Sequence, residues 1–327
     1  MSISPIIIVP GEPNSIFLEI YFKALLKKKY KSPLIIICSH RLLMMQMKKL
    51  KYKFKINLIH ENFLKNELKR NQINLININY NQKKAFEKIS SKSNIYIENC
   101  FNKALKILKK GISKKFINGP ISKKTFLKKK FLGITEYLTK KTFSKNSAML
   151  IYDKKLSVLP ITTHLPIKLV AKEINKKKLI NKIKIVDIFF KKFINKTPNF
   201  AVTGLNPHCE SILEYNEDYK IIKPSIEYLK NKKIKIKGPF PADTVFLKKN
   251  REKFDIIVGM YHDQVLAPIK TLNEFNSINL TVGLPFIRVS PDHGPNEKML
   301  GKNKSNPLSL INSINFLDKI WLKPKKA

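Results

Sequence analysis

Short apolar runs alternate with helical patterns along this chain, and this alternation limits the folds that it can adopt. An apolar run at 3–9 is followed by the turn Pro10-Gly11-Glu12-Pro13-Asn14, a helical pattern over 15–28 and a second apolar run at 34–38. This order of strand, turn, helix and strand is typical of a βαβ unit. The pattern predicts an α/β protein with a largely parallel sheet.

The length of the chain predicts two domains. A chain of 327 residues is longer than most single domains. Because no flexible Gly/Ser linker interrupts it, we expect two closely packed α/β domains that share strands or a cleft. Further helices are expected at 42–50, 104–110, 179–195, 221–231 and 306–320, and further strands at 234–237 and 256–259. The segment 57–92 has little periodicity, and we expect peripheral structure or loops there.

The charge of the chain is extreme, but its composition argues against specific nucleic-acid recognition. The formal net charge is +41, yet arginine, which makes bidentate contacts to bases and phosphates, occurs only at Arg41, Arg70, Arg251 and Arg288. Lysines are spread along the whole chain, so we expect only non-specific attraction of polyanions at low salt. No apolar run approaches the roughly 20 residues that cross a bilayer, and three cysteines without CxxC pairing suggest no disulfide framework. We therefore expect a cytoplasmic protein without a membrane partner.

Three histidines each lie in a polar turn that directly follows a strand-like run. They occur in Thr162-Thr163-His164-Leu165-Pro166, Gly204-Leu205-Asn206-Pro207-His208 and Met260-Tyr261-His262-Asp263-Gln264. Open α/β folds place their chemistry at the carboxyl ends of strands. Three neutral imidazoles can hold a divalent metal and leave a position open for a substrate oxygen. The alternative, three unrelated histidines in turns, stays open because no short ligand motif links them.

Two carboxylates lie in turn-like segments of the sequence. Asp243 is the only ionisable residue of Gly238-Pro239-Phe240-Pro241-Ala242-Asp243-Thr244, whose prolines restrict the backbone and would aim that carboxylate. Its alternative role is that of a helix N-cap ahead of Val245. Asp263 and Gln264 directly follow His262 and could orient its imidazole or lie around the same ion.

Arg288 lies in an otherwise apolar segment, where an arginine requires an anion. Lys270 and Asn279 are close in sequence and could complete a phosphate or carboxylate clamp. An internal salt bridge between Arg288 and Asp292 is an equal alternative. His293 is interpreted as structural, and His40 and His60 as incidental. No GxGxxG fingerprint occurs, so a Rossmann-type dinucleotide site is not indicated, although a nicotinamide cofactor could bind in another way.

Eight motifs, read in order, resemble the 4-hydroxythreonine-4-phosphate dehydrogenase family (PdxA). The resemblance extends from about residue 6 to about residue 320. The motifs are the three histidine turns, the Asp243 turn, Pro10-Gly11-Glu12-Pro13, Asn118-Gly119-Pro120-Ile121-Ser122-Lys123, Gly133-Ile134-Thr135-Glu136-Tyr137-Leu138 and Gly283-Leu284-Pro285-Phe286-Ile287-Arg288.

The resemblance implies an activity, a fold and a set of site residues. The activity is oxidation of the C3 hydroxyl of 4-phosphooxy-L-threonine with NAD, or NADP, followed by loss of CO2 to give 3-amino-2-oxopropyl phosphate in pyridoxine 5'-phosphate biosynthesis. The fold is isocitrate/isopropylmalate dehydrogenase-like, with the active site in the cleft between a first domain (1–130 and 300–327) and a second domain (131–299). The implied metal is zinc, magnesium, cobalt or manganese. The implied metal ligands are His164, His208 and His262, drawn from both subunits of a homodimer; the substrate contacts are Thr135, Lys270, Asn279 and Arg288; the catalytic candidates are Asp243 and Lys270.

One departure from the family pattern affects the implied substrate. Where the family usually has Gly-His-Thr-Glu, this chain has Ile134, which cannot form a hydrogen bond to a substrate. Loss of one such contact costs on the order of 1–3 kcal/mol, which weakens turnover without necessarily abolishing it. Two alternatives therefore stay open: a related dehydrogenase for another phosphorylated hydroxy acid, and a decayed homologue that binds polyanions.

Overall fold

The computed structural model describes residues 3–122, 124–127, 130–210, 215–274, 276–291 and 293–320. The strands within these ranges are β1 (Ile6–Val9), β2 (Leu34–Cys38), β3 (Ile56–Leu58), β4 (Ile73–Asn77), β5 (Lys115–Asn118), β6 (Ala148–Tyr152), β7 (Ser157–Pro160), β8 (Phe200–Thr203), β9 (Ile236–Phe240), β10 (Ile256–Gly259), β11 (Ile278–Val282) and β12 (Ile287–Pro291). The α-helices are α1 (Phe17–Lys27), α2 (His40–Lys49), α3 (Asn94–Lys109), α4 (Ile134–Lys141), α5 (Val170–Glu173), α6 (Lys176–Phe189), α7 (Lys223–Asn231), α8 (Ala242–Val245), α9 (Lys248–Arg251), α10 (His262–Asn273) and α11 (Leu308–Lys319).

The chain divides into two compact units, and the first is built from both ends of the chain. The first unit comprises Met1–Ile134 and Pro285–Ala327, and the second comprises Thr135–Leu284. The chain thus returns to the first unit at Pro285, whereas the sequence suggested a boundary at residue 300. No helix in the part of the chain that the structure describes is long and apolar enough to cross a membrane.

The first unit contains a parallel sheet with the strand order β3-β4-β2-β1-β5-β12. Its central strand is buried along its whole length, and each of the residues in Ile6–Val9 is 0% exposed. Strands covered on both faces are expected to be continuously apolar, which is why this one was predictable. The predicted βαβ unit is confirmed, because β1 and β2 pair in parallel on either side of α1.

The second unit contains a mixed sheet with the strand order β11-β6-β7-β10-β8-β9. Strands β7, β10, β8 and β9 are parallel, while β6 runs antiparallel to both β7 and β11. The predicted α/β class with largely parallel sheets is confirmed. Strand β9 contains Pro239 and lies at the edge of the sheet, where a residue without an N–H group is tolerated.

Two predictions of secondary structure from the sequence were wrong. The segment 57–92, expected to be peripheral or looped, contains β4, which lies inside the sheet with Ile73 and Leu75 at most 1% exposed. Helix α3 begins at Asn94, ten residues before the predicted start at 104. Its first turns carry residues of modest helix propensity, but the burial of Tyr96 and Ile97 stabilises the helix there.

Candidate active site

The three histidine turns follow the carboxyl ends of three neighbouring parallel strands, which all end on the same side of the sheet. His164 follows β7, His262 follows β10 and His208 follows β8. Strand β10 pairs in parallel with β7 on one side and with β8 on the other. The predicted position of each histidine at the carboxyl end of a strand is therefore confirmed. Their common edge is where open α/β sheets bind ligands.

His164 and His262 lie next to each other. Their ring centroids are 5.6 Å apart, with an angle of 38° between the ring planes. His262 is the first residue of α10, whereas His164 lies in a left-handed conformation with φ of 53°. Few residues other than glycine adopt this conformation, and such strained positions occur often at ligand sites.

His208 lies in a tight turn that a buried carboxylate holds in place. The residue has φ of 55°, and its side chain is exposed. Asp218, which is 1% exposed, accepts hydrogen bonds from the backbone N–H of Leu205 at 2.8 Å and from the backbone N–H and side chain of Asn206 at 3.1 and 2.9 Å. Asp218 was not identified from the sequence, since its partners lie 12 and 13 residues away.

Imidazole nitrogens are suitable ligands for a divalent metal, but within one chain only two of the three histidines lie close together. Among the described residues, no group of three His, Cys, Asp or Glu side chains lies close enough together to hold a metal ion. His164 and His262 form a close pair, and His208 follows the adjacent strand of the same edge. Imidazole nitrogens suit zinc and cobalt better than magnesium and manganese, which prefer oxygen ligands.

Asp263 contacts His262, whereas Asp243 does not cap a helix. The Nδ1 atom of His262 lies 2.7 Å from Oδ1 of Asp263, so the predicted role of this carboxylate in orienting the ring agrees with the geometry. Asp243 is an exposed residue in the first turn of α8, where Pro241 occupies the N-cap without a side-chain hydrogen bond. The N-cap interpretation of Asp243 was therefore wrong. Burial, then the charge of Asp218 and, less strongly, that of Asp243 raise the pKa of the Cys209 thiol, so Asp243 lies near the His208 turn.

Thr135 and Asn279 lie in the second unit, and each is related to Thr281: Thr135 contacts it, and Asn279 lies on the same face of the same strand. The hydroxyls of Thr135 and Thr281 are 3.2 Å apart. Asn279 precedes Thr281 by two residues on β11, so their side chains share one face of the sheet. Among the described residues, none donates a hydrogen bond to the buried Oδ1 atom of Asn279. A buried acceptor of this kind is suited to a ligand donor.

Lys270 and Arg288, the two predicted anion anchors, differ in their surroundings. Lys270 is exposed in the last turn of α10, about 12 Å along the helix axis from His262. Arg288 belongs to the first unit, lies on β12 and is 1% exposed. Its Nε atom donates a hydrogen bond of 2.6 Å to Oδ1 of Asn118, at the end of β5. The alternative partner of Arg288, Asp292, lies outside the described residues.

Glu136, which is partly buried, contacts the turn that carries His164. The hydroxyl of Thr163 donates to Oε1 of Glu136 at 3.2 Å. Burial lowers the pKa of Lys182 on α6 to about 8, and the negative charge of Glu136 opposes this change. The sequence did not point to Lys182, because lysines are so frequent in the chain that one partly buried lysine has no sequence signal.

Comparison with known proteins identifies similar chains over nearly the whole length. Residues 29–317 match the family described as pyridoxal phosphate biosynthetic protein PdxA. The chain is 37% identical over 313 residues to a 4-hydroxythreonine-4-phosphate dehydrogenase of Sulfurihydrogenibium sp. (strain YO3AOP1), which covers 93% of this chain and 94% of the relative. It is 36% identical over 218 residues to a D-threonate 4-phosphate dehydrogenase of Pectobacterium atrosepticum, covering 66% of this chain and 67% of that one. A crystal structure of 4-hydroxythreonine-4-phosphate dehydrogenase from Klebsiella pneumoniae superposes with a TM-score of 0.83 at 26% identity, covering 96% of this chain and 97% of the other.

Proposed function

The chain belongs to the PdxA family of pyridoxal phosphate biosynthetic proteins, and from this membership we propose that it oxidises and decarboxylates 4-phosphooxy-L-threonine with NAD. The product is 3-amino-2-oxopropyl phosphate, an intermediate on the route to pyridoxine 5'-phosphate. One observation carries the proposal: all three predicted histidine ligands follow the carboxyl ends of the adjacent parallel strands β7, β10 and β8, and these ends lie at one edge of the sheet. An edge with this donor set suits a metal-assisted reaction of a substrate hydroxyl.

We propose that His164, His208 and His262 hold a divalent ion, with zinc, cobalt, manganese or magnesium as candidates. The proximity of His164 and His262 supports two ligands from one region of the fold. We further propose that the protein is a homodimer whose metal sites take ligands from both subunits. The His208 turn, which is exposed and fixed by Asp218, is suited to face a second chain.

The mechanism assigns distinct tasks to the residues of the chain. When bound by the three histidines, the metal would supply Lewis acidity to the substrate hydroxyl, and the nicotinamide would supply the hydride acceptor. The C3–H bond breaks as the hydride leaves, and the hydroxyl proton passes to a base, for which the exposed carboxylate of Asp243 near the His208 turn is the candidate. The bond between C2 and the carboxylate carbon then breaks, CO2 leaves, and the electron pair of that bond moves toward the new C3 carbonyl. A proton returned by the protonated base to C2 completes the ketone product.

Substrate orientation is the task of four other side chains. Lys270 and Arg288 are proposed to hold the phosphate and carboxylate groups by charge-assisted hydrogen bonds. Lys270 is also a catalytic candidate, because an ammonium group beside the reacting carbon stabilises negative charge that develops there. Thr135 and Asn279 are proposed to bind polar groups of the substrate, and the buried acceptor of Asn279 supports this assignment.

The test is NADH formation by chelator-treated protein to which each candidate metal is returned. We expect metal-dependent turnover of 4-phosphooxy-L-threonine that is lost in His208→Ala and kept in His60→Ala, an exposed histidine of the first unit. D-threonate 4-phosphate, the substrate named for the Pectobacterium relative, serves as the competing substrate. Faster turnover of that compound would contradict the proposed substrate. Absence of NADH with either compound, from folded and metal-loaded protein, would favour the decayed homologue.

Shared metal sites are tested by mixing inactive variants. His164→Ala, His208→Ala and His262→Ala proteins are mixed in pairs after subunit exchange. If two ligands come from one subunit and the third from the other, two of the three pairs regain activity, because each mixed dimer then contains one intact site. If every site is built within one chain, no pair regains activity.

A further inference from the structure

The side chain of Gln264 connects the carboxyl ends of β8 and β10. Its Oε1 atom accepts hydrogen bonds from the hydroxyl of Thr203 at 2.9 Å and from the backbone N–H of Met260 at 2.7 Å. Its Nε2 atom donates to the carbonyl oxygen of Gly204 at 2.8 Å. One amide thus uses both its donor and its acceptor to join the two strand ends.

The connection continues to β7 through the backbone of Met260. The carbonyl oxygen of Met260 accepts hydrogen bonds from the backbone N–H of Thr162 at 3.1 Å and from its hydroxyl at 2.7 Å. A continuous row of hydrogen bonds therefore runs from Gly204 through Gln264 and Met260 to Thr162. This row crosses the ends of three adjacent strands.

Each backbone position in this row lies a few residues before a proposed metal ligand: Thr162 before His164, Met260 before His262, and Gly204 before His208. We propose that Gln264 is a positioning residue that sets the spacing of the three histidine turns, although it contacts none of the imidazoles. The inference rests on the proposed function, because it concerns the ligands of that metal site. Since every turn of either subunit is anchored in this way, the same row acts on both shared sites of the dimer.

The packing around Gln264 requires a small residue at position 259, the last position of β10. A Cβ atom at Gly259 would lie 2.4 Å from a methyl group of Val265 and 3.1 Å from Oε1 of Gln264. Glycine at this position therefore lets α10 approach the end of β10 closely enough for the amide to reach both strands. A glutamate at 264 would keep the two acceptor contacts but could not donate to Gly204, and a methionine would keep only the volume.

The competing explanation is that Gln264 stabilises the second unit like any hydrogen-bonded amide, without effect on the metal. Gln46 provides the matched control in the first unit. It is 0% exposed, and its Nε2 atom donates to the carbonyl oxygens of Pro13 and Ala85, each at 2.9 Å. Gln46→Met removes a comparable set of hydrogen bonds far from the three turns in sequence.

The experiment compares wild type, Gln264→Met, Gln264→Glu and Gln46→Met as full-length proteins. Co²⁺ affinity is measured by calorimetry, the coordination geometry by the Co²⁺ absorption spectrum, and the order of the turns by hydrogen exchange without metal. For Gln264→Met we expect 10- to 100-fold weaker Co²⁺ binding, an altered spectrum and faster exchange over 160–166 and 204–210. Gln264→Glu should give a smaller loss. Gln46→Met should lower the thermal midpoint while leaving the affinity and the spectrum unchanged.

Three results would overturn the inference. Unchanged Co²⁺ affinity and an unchanged spectrum in Gln264→Met would reduce Gln264 to a stabilising residue. If Gln264→Met does not fold, the Glu variant decides, and wild-type affinity in that variant rejects the inference. Absence of Co²⁺ binding by wild type would reject the metal site of the proposed function itself and the inference with it. The wild-type measurement therefore separates the two failures.

Discussion

His262 and Asp263 form a contact of 2.7 Å between Nδ1 and Oδ1 at the start of α10. A neutral imidazole donates from one ring nitrogen and accepts at the other. Pairing of Nδ1 with a carboxylate places the proton on that nitrogen and leaves the lone pair of Nε2 available to a metal. The contact thus selects the tautomer that a ligand requires.

The first prediction is that Asp263→Asn weakens Co²⁺ binding. Because Asp263 is 84% exposed, we expect a loss of about tenfold, at the lower end of the range for groups that orient metal ligands. Calorimetry measures the affinity. Asp255→Asn is the control, since Asp255 lies just before β10, at the opposite end of that strand. Equal affinity of Asp263→Asn and wild type would contradict the orienting role.

The second prediction concerns the buried carboxylate behind the His208 turn. In Asp218→Asn, an NH2 group replaces the carboxylate oxygen that faces the two donors of Asn206. The backbone N–H of Asn206 loses its acceptor, while the side-chain amide keeps only Glu217. We expect the free energy of unfolding to fall by roughly 1–3 kcal/mol, as measured by urea denaturation. Glu227→Gln, which removes a carboxylate that is 55% exposed, should have a much smaller effect. Equal stability of the two variants would show that the Asp218 contacts contribute little.

The third prediction separates backbone strain from close packing. Gly11 has φ of +79°, and a Cβ atom there would lie 2.3 Å from the carbonyl oxygen of Pro120. Gly111 has nearly the same φ of +76° and no atom within 4 Å of such a Cβ. Gly111→Ala should therefore lower the free energy of unfolding by about 1 kcal/mol, and Gly11→Ala by a further 1–3 kcal/mol. Similar losses in both variants would mean that the loops carrying Gly11 and Pro120 can separate without cost.

The fourth prediction is a pH dependence caused by Lys182. Burial lowers its pKa to about 8 from the ordinary 10.5, the charge of Glu136 opposes the change, and that of Lys178 adds to it. Between about pH 8 and 10.5, the unfolded chain holds a proton that the folded protein has released, so the free energy of unfolding rises with pH. The difference in stability between wild type and Lys182→Met should rise there by at most about 1.4 kcal/mol per pH unit.

Urea denaturation over this pH range measures the effect of Lys182. Lys177→Met, which removes an exposed lysine of the same helix, corrects for the loss of one surface charge. A difference between wild type and Lys182→Met that does not change with pH would show that the ammonium group is hydrated in the folded protein.

The parts of the site that the sequence predicted follow from burial. The strands before the histidine turns are covered on both faces, so each appears as an apolar run that ends at a polar turn. The same reasoning predicted β1 and β2. A strand that ends in a parallel sheet directs the next turn to the carboxyl side of the sheet, and the positions of His164, His208 and His262 after β7, β8 and β10 follow from that rule.

The parts that were missed depend on partners distant in sequence. Asn74 on β4 is 1% exposed, and its amide donates to Leu34 and accepts from Asn57 and from the backbone of Lys69. A polar residue in a strand indicates exposure unless such partners are known, and the segment 57–92 that contains β4 was therefore expected to be peripheral or looped. Gln264 was expected to orient His262 or to lie around the same ion, whereas its side chain contacts Thr203 and Gly204, about sixty residues away. Hydrogen bonds of this kind leave no pattern in one sequence.

The division of the first unit between both ends of the chain determines when that unit can be completed during synthesis. Strand β5 pairs with β1 on one side and with β12 on the other, and β12 belongs to the segment that begins at Pro285. A ribosome that has released residues up to 284 has delivered the whole second unit, while one edge of β5 still lacks its partner. Unpaired strand edges invite association with other chains until they are covered. The arginine proposed to hold the substrate, Arg288, therefore arrives together with the strand that closes the sheet, and a truncated chain lacks both.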